Sequence, residues 1–188
     1  MSAALARALL LLLVAPAVAA ETVQPGQRWA WSGNAGWLDA RPLDAAGPGL
    51  HAENGVVSGW MWSANAGWIS AHCRNTDSCA EVDYGVHLVA VPDMPGLLRL
   101  AGYMWSENAG WIVTHCSVTQ SCDVVDFGVH VDVASGLFDG YAWSQNLGWI
   151  SFSCTSNDAC AQQDYGVGLL PASVVPRPDR IFRDGFES

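Results

Sequence analysis

Lysine is absent from this chain of 188 residues, and arginine is scarce: of eight, only Arg28, Arg41, Arg74 and Arg99 fall between Glu21 and Leu170. Nucleic-acid binding draws much of its free energy from cations that clustered basic side chains displace from phosphate. Four scattered arginines make no such footprint, so nucleic acid and anionic membrane are set aside as partners. After residue 20 no apolar run approaches the roughly 20 residues that a membrane-crossing helix needs, so no membrane insertion is expected. Local signatures of catalysis are missing too: there is no Gly-x-Ser-x-Gly, no His-Glu-x-x-His and no phosphate loop. Polar residues recur here in copies, whereas a catalytic constellation ordinarily occurs once. The chain therefore reads as a non-enzyme, and no cofactor is implied.

What is present begins with a leader. Arg7 supplies a positive start, Ala8 to Val18 an apolar run, and Ala17 to Ala20 a small-residue cleavage site, which together describe a secretory signal peptide cut after Ala19 or Ala20. Its loss leaves seven arginines against eighteen acidic residues, a net charge of −11. Such acidity serves solubility. The expected location is exported: extracellular, periplasmic or cell-surface. Enough chain remains for one core, so the expected organisation is a signal peptide over 1–20, one repeat domain over 21–170, and a flexible tail containing Pro and Arg over 171–188.

All ten tryptophans lie in four near-copies of one motif, [Trp/Tyr]-x-Trp-Ser-x-Asn-x-Gly-Trp-[Ile/Leu], at Trp29 to Leu38, Trp60 to Ile69, Tyr103 to Ile112 and Tyr141 to Ile150. Aromatic and β-branched residues flanking an Asn/Gly break describe a β-hairpin. Gly36, Gly67, Gly110 and Gly148 suit the left-handed residue that closes a four-residue loop. A further turn precedes each of the last three copies, and an apolar strand opening at "DYGV" or "DFGV" precedes that turn in the last two. The unit is then strand A (Tyr84 to Val91), strand B (Leu97 to Ser106) and strand C (Trp111 to Cys116), a three-stranded antiparallel meander whose sheet breaks before the next strand A. The chain starts with a B–C pair at Trp29 to Ala40 and ends with a lone strand A at Tyr165 to Leu170. Pairing those fragments predicts an all-β fold of four three-stranded repeats closed into a propeller-like or barrel-like ring, which covers two exposed edges. An open stack of β units is the alternative.

Cysteines fall as Cys73/Cys79, Cys116/Cys122 and Cys154/Cys160, always with five residues between them and always just after a Trp motif. A spacing that recurs with the repeat predicts a disulfide within each repeat, in keeping with an oxidising compartment. Zinc is the competing reading, since His72 and His115 precede a cysteine. The last copy has Ser153 there yet keeps both cysteines, which favours disulfides and no metal. Asp83, Asp126 and Asp164 recur before strand A and read as turn-capping residues.

Two roles compete for the tryptophans. Burial between units would give short repeats a core and leave a purely structural, disulfide-clasped scaffold. The functional reading depends on register. With Ser63 facing Trp68, the residues Trp60, Trp62, Ile69 and Ala71 share one face and Trp68 joins Met61, Ser63 and Ser70 on the other; a slip of one residue unites all three tryptophans. "WISFS" at Trp149 to Ser153 favours the first register. Trp37, Trp68, Trp111 and Trp149 then lie on a polar face, where with Asn34, Asn65, Asn108 and Asn146 they are candidates for stacking on a sugar ring. The leading reading is a non-enzymatic secreted or envelope-associated module binding a glycan, a cell-surface polymer or a protein surface; a hydrolase acting on an extracellular polymer ranks last. Glu107, the one acid inside a Trp motif, reads as a solvated loop tip.

The four motif copies with their "YGV" openings resemble the tandem "GYAWSxNxGWI" repeats of exported bacterial proteins of unestablished function. The ending "DRIFRDGFES", from Asp179 to Ser188, is similar to the "IFxDGFE" tails of exported proteins of Gram-negative bacteria. That resemblance implies a tail shared among unrelated secreted proteins, with a sorting or processing role.

Overall fold

The computed structural model describes residues 22–42 and 49–176. Residues 1–21, where the signal peptide is expected, 43–48 and 177–188 lie outside them. Thirteen antiparallel strands run in chain order: β1 (Val23–Ser32), β2 (Gly36–Asp39), β3 (His51–Glu53), β4 (Val56–Ser58), β5 (Trp60–Ser63), β6 (Gly67–Ser70), β7 (Val86–Ala90), β8 (Leu97–Ser106), β9 (Gly110–Val113), β10 (Val129–Asp132), β11 (Phe138–Ser144), β12 (Gly148–Ser151) and β13 (Val167–Leu169). No α-helix occurs among the described residues.

Each Trp motif folds as a hairpin, and the four hairpins β1–β2, β5–β6, β8–β9 and β11–β12 stand side by side. Neighbouring hairpins pair through β2–β5, β6–β8 and β9–β11. The eight strands close when β12 returns to β1, with Trp31 opposite Ser151 and Ser32 opposite Ile150. The ring is thus a barrel, and the open stack is excluded. As the sequence predicts, the last strand A also comes home: β13 pairs with β1 through Val23–Leu169 and Arg28–Val167.

The other five strands, β3, β4, β7, β10 and β13, lie outside the ring and extend its wall. Strand β8 serves both parts. Its first half pairs with β7 and β10, and its second half with β9. The changeover falls at Gly102, whose φ is +141° and whose absent Cβ would lie 1.8 Å from the Gly85 carbonyl oxygen. Gly140 makes the same bend in β11, with a Cβ position 2.0 Å from the Gly128 oxygen. Only glycine fits there.

One expectation fails: the sheet does not break at the cysteine clasp. Ser70 pairs with Trp105 and Val113 with Trp143, so strand C of one unit joins strand B of the next. Isolated bridges at His72–Gly85, His115–Gly128 and Ser153–Gly166 also bring the two ends of each clasp together. The reason is the clasp's tightness. A disulfide and a short 3-10 turn return the chain beside itself, so the strand edge next to the clasp is paired.

An eight-stranded barrel leaves an interior just wide enough for side chains to fill. Here Leu38, Met61, Ile69, Met104, Ile112 and Ile150 fill it, all 1% exposed, continuous with an aliphatic layer that includes Val86, Leu88, Leu100 and Val131. Volume is balanced across copies: the fourth carries Ala142 where the middle two have Met61 and Met104, and brings buried Leu147 and Phe152 where the second has Ala66 and Ala71. Packing continues past Leu170, since Val174, after a 3-10 turn at Pro171–Ser173, is buried in the core.

Candidate functional site: the aromatic outer wall

The register decides which way the indoles face. Ser63 pairs with Gly67, Trp62 with Trp68 and Met61 with Ile69. Three residues, not four, separate the paired turn positions, with Gly67 at φ +69°. The face assignment favoured by the sequence is therefore wrong: Trp60, Trp62 and Trp68 share the outer face, and Met61, Ser63 and Ile69 point inward. The assumed loop length misplaced strand B, whereas the alternation in "WISFS" does put Trp149 outside and Ile150 and Phe152 inside. Ser32, Ser63, Ser106 and Ser144 are buried to 1% exposure or less, and each donates its hydroxyl to a carbonyl in the loop of the preceding hairpin: Leu147, Ala35, Ala66 and Ala109 respectively. Serine here is an interior residue made tolerable by a satisfied hydroxyl, not a sign of a wet face.

On the outer wall Trp37, Trp68, Trp111 and Trp149 are 39–43% exposed, as are Trp29, Trp62 and Trp143 at 38–39%. Each return-strand indole is wedged edge-on between the two aromatics of strand B: Trp68 lies 6.0 Å from Trp60 and 5.0 Å from Trp62, and Trp111 lies 5.8 Å from Tyr103 and 4.6 Å from Trp105, ring centre to ring centre. A fourth ring comes from the clasp, Tyr84 on Trp111, Phe127 on Trp149 and Tyr165 on Trp37, at 5.3–5.4 Å. Among the described residues no clasp aromatic packs on Trp68. Such edge-to-face contacts fix ring orientation and contribute about 0.5–1.5 kcal/mol each.

The clasp aromatic is anchored by a pairing that varies consistently within the chain. Tyr84 donates its hydroxyl to Ser70 and Tyr165 to Ser151, at 2.9 and 3.0 Å. Where the clasp ring is Phe127, the serine position holds Val113. In the first hairpin that position is Asp39, bound in a two-pronged ion pair by Arg28 at 2.5–2.7 Å. Arg28 also stands over the Trp29 ring, 5.3 Å from its centre.

The asparagines have structural partners. The side-chain amides of Asn65, Asn108 and Asn146 donate to Ala35, Ala66 and Ala109, reinforcing the serine bonds between hairpins. Asn34 reaches toward Gly148, its Nδ2 lying 3.3 Å from where a Cβ would stand. All four residues remain exposed at the loop tips, so they lie at the end of the aromatic wall with part of their polar surface open.

Cys73–Cys79, Cys116–Cys122 and Cys154–Cys160 are disulfides. His72 and His115 lie within 4.8 Å of their cysteine sulfurs, but those sulfurs are bonded to each other, and each imidazole accepts a backbone N–H through Nδ1, from Arg74 or Ser117. Ser153 accepts the Thr155 N–H in the same way. This explains the exchange of His for Ser: both cap a 3-10 turn. The histidine rings also roof Gly85 and Gly128, at 2.7 and 2.3 Å from a would-be Cβ. Asp83, Asp126 and Asp164 place a carboxylate oxygen 3.5–3.6 Å from the nearer disulfide sulfur.

Two grooves open on the wall. The larger, about 720 Å3, lies between the second and third hairpins under the first clasp. Trp60, Trp62, Trp68, Trp105, Trp111 and Tyr84 form its aromatic lining, with Thr76, Ser78, Glu107 and Asn108 among its polar groups. The smaller, about 290 Å3, is lined by Trp29, Trp37, Gln163, Asp164 and Tyr165. Sequence reasoning overlooked Trp62, Trp105, Tyr84 and the clasp residues as members of this surface. The strict recurrence of two aromatics in strand B was the available signal, and the register error hid it. No family model, curated protein or solved structure matches the chain.

Proposed function

We propose that the chain is a non-enzymatic, exported binding module that takes a glycan on its aromatic outer wall. The observation that carries this reading is the outward stance of the indoles: no tryptophan is among the buried core residues, and seven keep 38–43% of their surface exposed. Large exposed apolar patches on a folded domain mark interaction sites. Indole faces beside exposed Asn108 and Thr76 and half-buried Ser78 suit a sugar, whose C–H face packs on a ring while its hydroxyls find polar partners. Disulfides place the protein in an oxidising, extracellular-type setting, and export through the leader, with a separately recognised tail, belongs to the same proposal. The return strands β2, β6, β9 and β12 have four residues each, against about nine to eleven for a strand that crosses a bilayer, which supports a wall facing water. A scaffold role is the second reading, favoured by the use of the motif serines and asparagines in bonds between hairpins. A panel of immobilised polysaccharides, read by retention and by tryptophan emission, separates the two: retention lost in Trp68→Ala supports binding, and no retention on any polysaccharide rejects it.

A further inference from the structure

The four hairpins are alike in plan but unlike in charge, and the difference falls beside the large groove. Glu107 is the only ionised group among the residues that line it. Its counterparts in the other loops, Gly33, Ala64 and Gln145, carry no charge. No arginine or histidine lines the groove, and the whole chain is strongly acidic, at −10. An anionic polymer meets repulsion there with nothing to offset it. Indole faces, in contrast, attract cations through the negative potential above the ring, Trp most strongly, and a carboxylate at the rim adds to the same sign of field.

Building on the glycan reading, we infer that the groove between the second and third hairpins selects a glycan bearing free, protonated amino groups, a glucosamine-type polymer, one chain per molecule. The sugar ring packs on Trp62 or Trp68, and an ammonium group lies between the ring faces and Glu107. Its hydroxyls meet the clasp side chains Thr76 and Ser78. Size also makes this groove the preferred one. Its 720 Å3 can hold more than one sugar ring, whereas the groove at the first hairpin has only about 290 Å3.

The test is calorimetric titration of the full chain at about pH 6 with three probes of equal length: a glucosamine oligosaccharide, its fully N-acetylated form, and an oligosaccharide of galacturonic acid. An exposed cation–π contact and an exposed ion pair together predict about fivefold to tenfold tighter binding of the amine form over the acetylated one. One site per chain is expected, with no binding of the acidic oligosaccharide. Glu107→Gln, at an exposed loop tip where folding is insensitive, removes the ion pair but leaves the indoles, so the preference should narrow to about twofold to threefold. Equal affinity for the amine and acetylated forms, or a preference that Glu107→Gln leaves unchanged, overturns the inference and leaves the glycan reading standing. Failure of all three oligosaccharides, together with failure of the wider polysaccharide panel, overturns both.

Discussion

Substituting Gly102 by alanine tests how the long strands serve two sheets at once. Three effects add. An L-residue held at φ +141° costs about 1–3 kcal/mol. A Cβ placed 1.8 Å from the Gly85 oxygen and 2.9 Å from its carbon must push β7 away, an overpacking cost of about 1–3 kcal/mol. The bond from the Tyr103 N–H to that oxygen, 3.2 Å long, is lost or stretched, for about 1 kcal/mol. The sum, about 3–7 kcal/mol, is a large part of the 5–15 kcal/mol typical of a domain. Two controls separate the causes. Gly96→Ala, at φ +90° with nothing within 4 Å, carries only the backbone cost, and Gly33→Ala, without positive φ or neighbours, should change stability by less than about 1 kcal/mol. Urea unfolding followed by far-ultraviolet dichroism gives the three values by linear extrapolation. A Gly102→Ala loss no larger than that of Gly96→Ala would refute the claim that β7 and β8 approach each other too closely for a side chain.

Register makes a second prediction: Met61→Ala, inside the barrel, should cost about 2–5 kcal/mol, more than Trp68→Ala on the outer wall despite the larger indole, and the reverse order in urea midpoints would count against the inward and outward assignments. Tyr84→Phe removes one bond to Ser70 and should cost about 1 kcal/mol. Phe127→Tyr, whose new hydroxyl meets Val113, should also destabilise, so a gain in melting temperature there would show that the paired exchange has another origin. Acid should weaken the fold through His115, which is held neutral: burial, then the Arg99 guanidinium and His130, lower its pKa to about 4 against the opposing pull of Asp126. Burial first of all also lowers the pKa of His130. With the folded pKa below the unfolded value of about 6.5, the unfolded chain takes up the proton first as pH falls. This contribution is therefore complete above about pH 6.5 and is lost between there and about pH 4. Denaturation midpoints at pH 7 and 4.5 should differ less in His115→Ser, which copies Ser153, than in the parent; an unchanged difference would exclude His115 as the source.

Hairpins, disulfides and ring closure were legible because each rests on a local rule that repeats: a left-handed glycine, a fixed cysteine spacing, an orphan strand at either end. The inward and outward faces were not, because they depend on a single residue of loop length and on a serine whose surroundings cannot be read from its neighbours. Ser63 looks like surface in the sequence and sits at 1% exposure, since the carbonyl that receives it belongs to Ala35, 28 residues earlier. Tertiary partners at that distance also decide the break expected at the clasp. Once β6 meets β8, an edge that seemed open is paired. The aromatic grooves follow from the same correction: uniting three aromatic rings per hairpin creates a surface that two opposed faces would not.

The seam between β1 and β12 has a kinetic consequence. It pairs Trp31 with Ser151, and at the other end of β1 Gln24 bonds to Ser135 and Leu169, 111 and 145 residues along the chain. A growing polypeptide therefore carries its first hairpin with one raw flank until nearly the whole sequence has emerged, and final assembly waits on the slowest, most distant encounter. A product truncated anywhere in the fourth repeat should behave as an unclosed ribbon prone to sticking to its own kind.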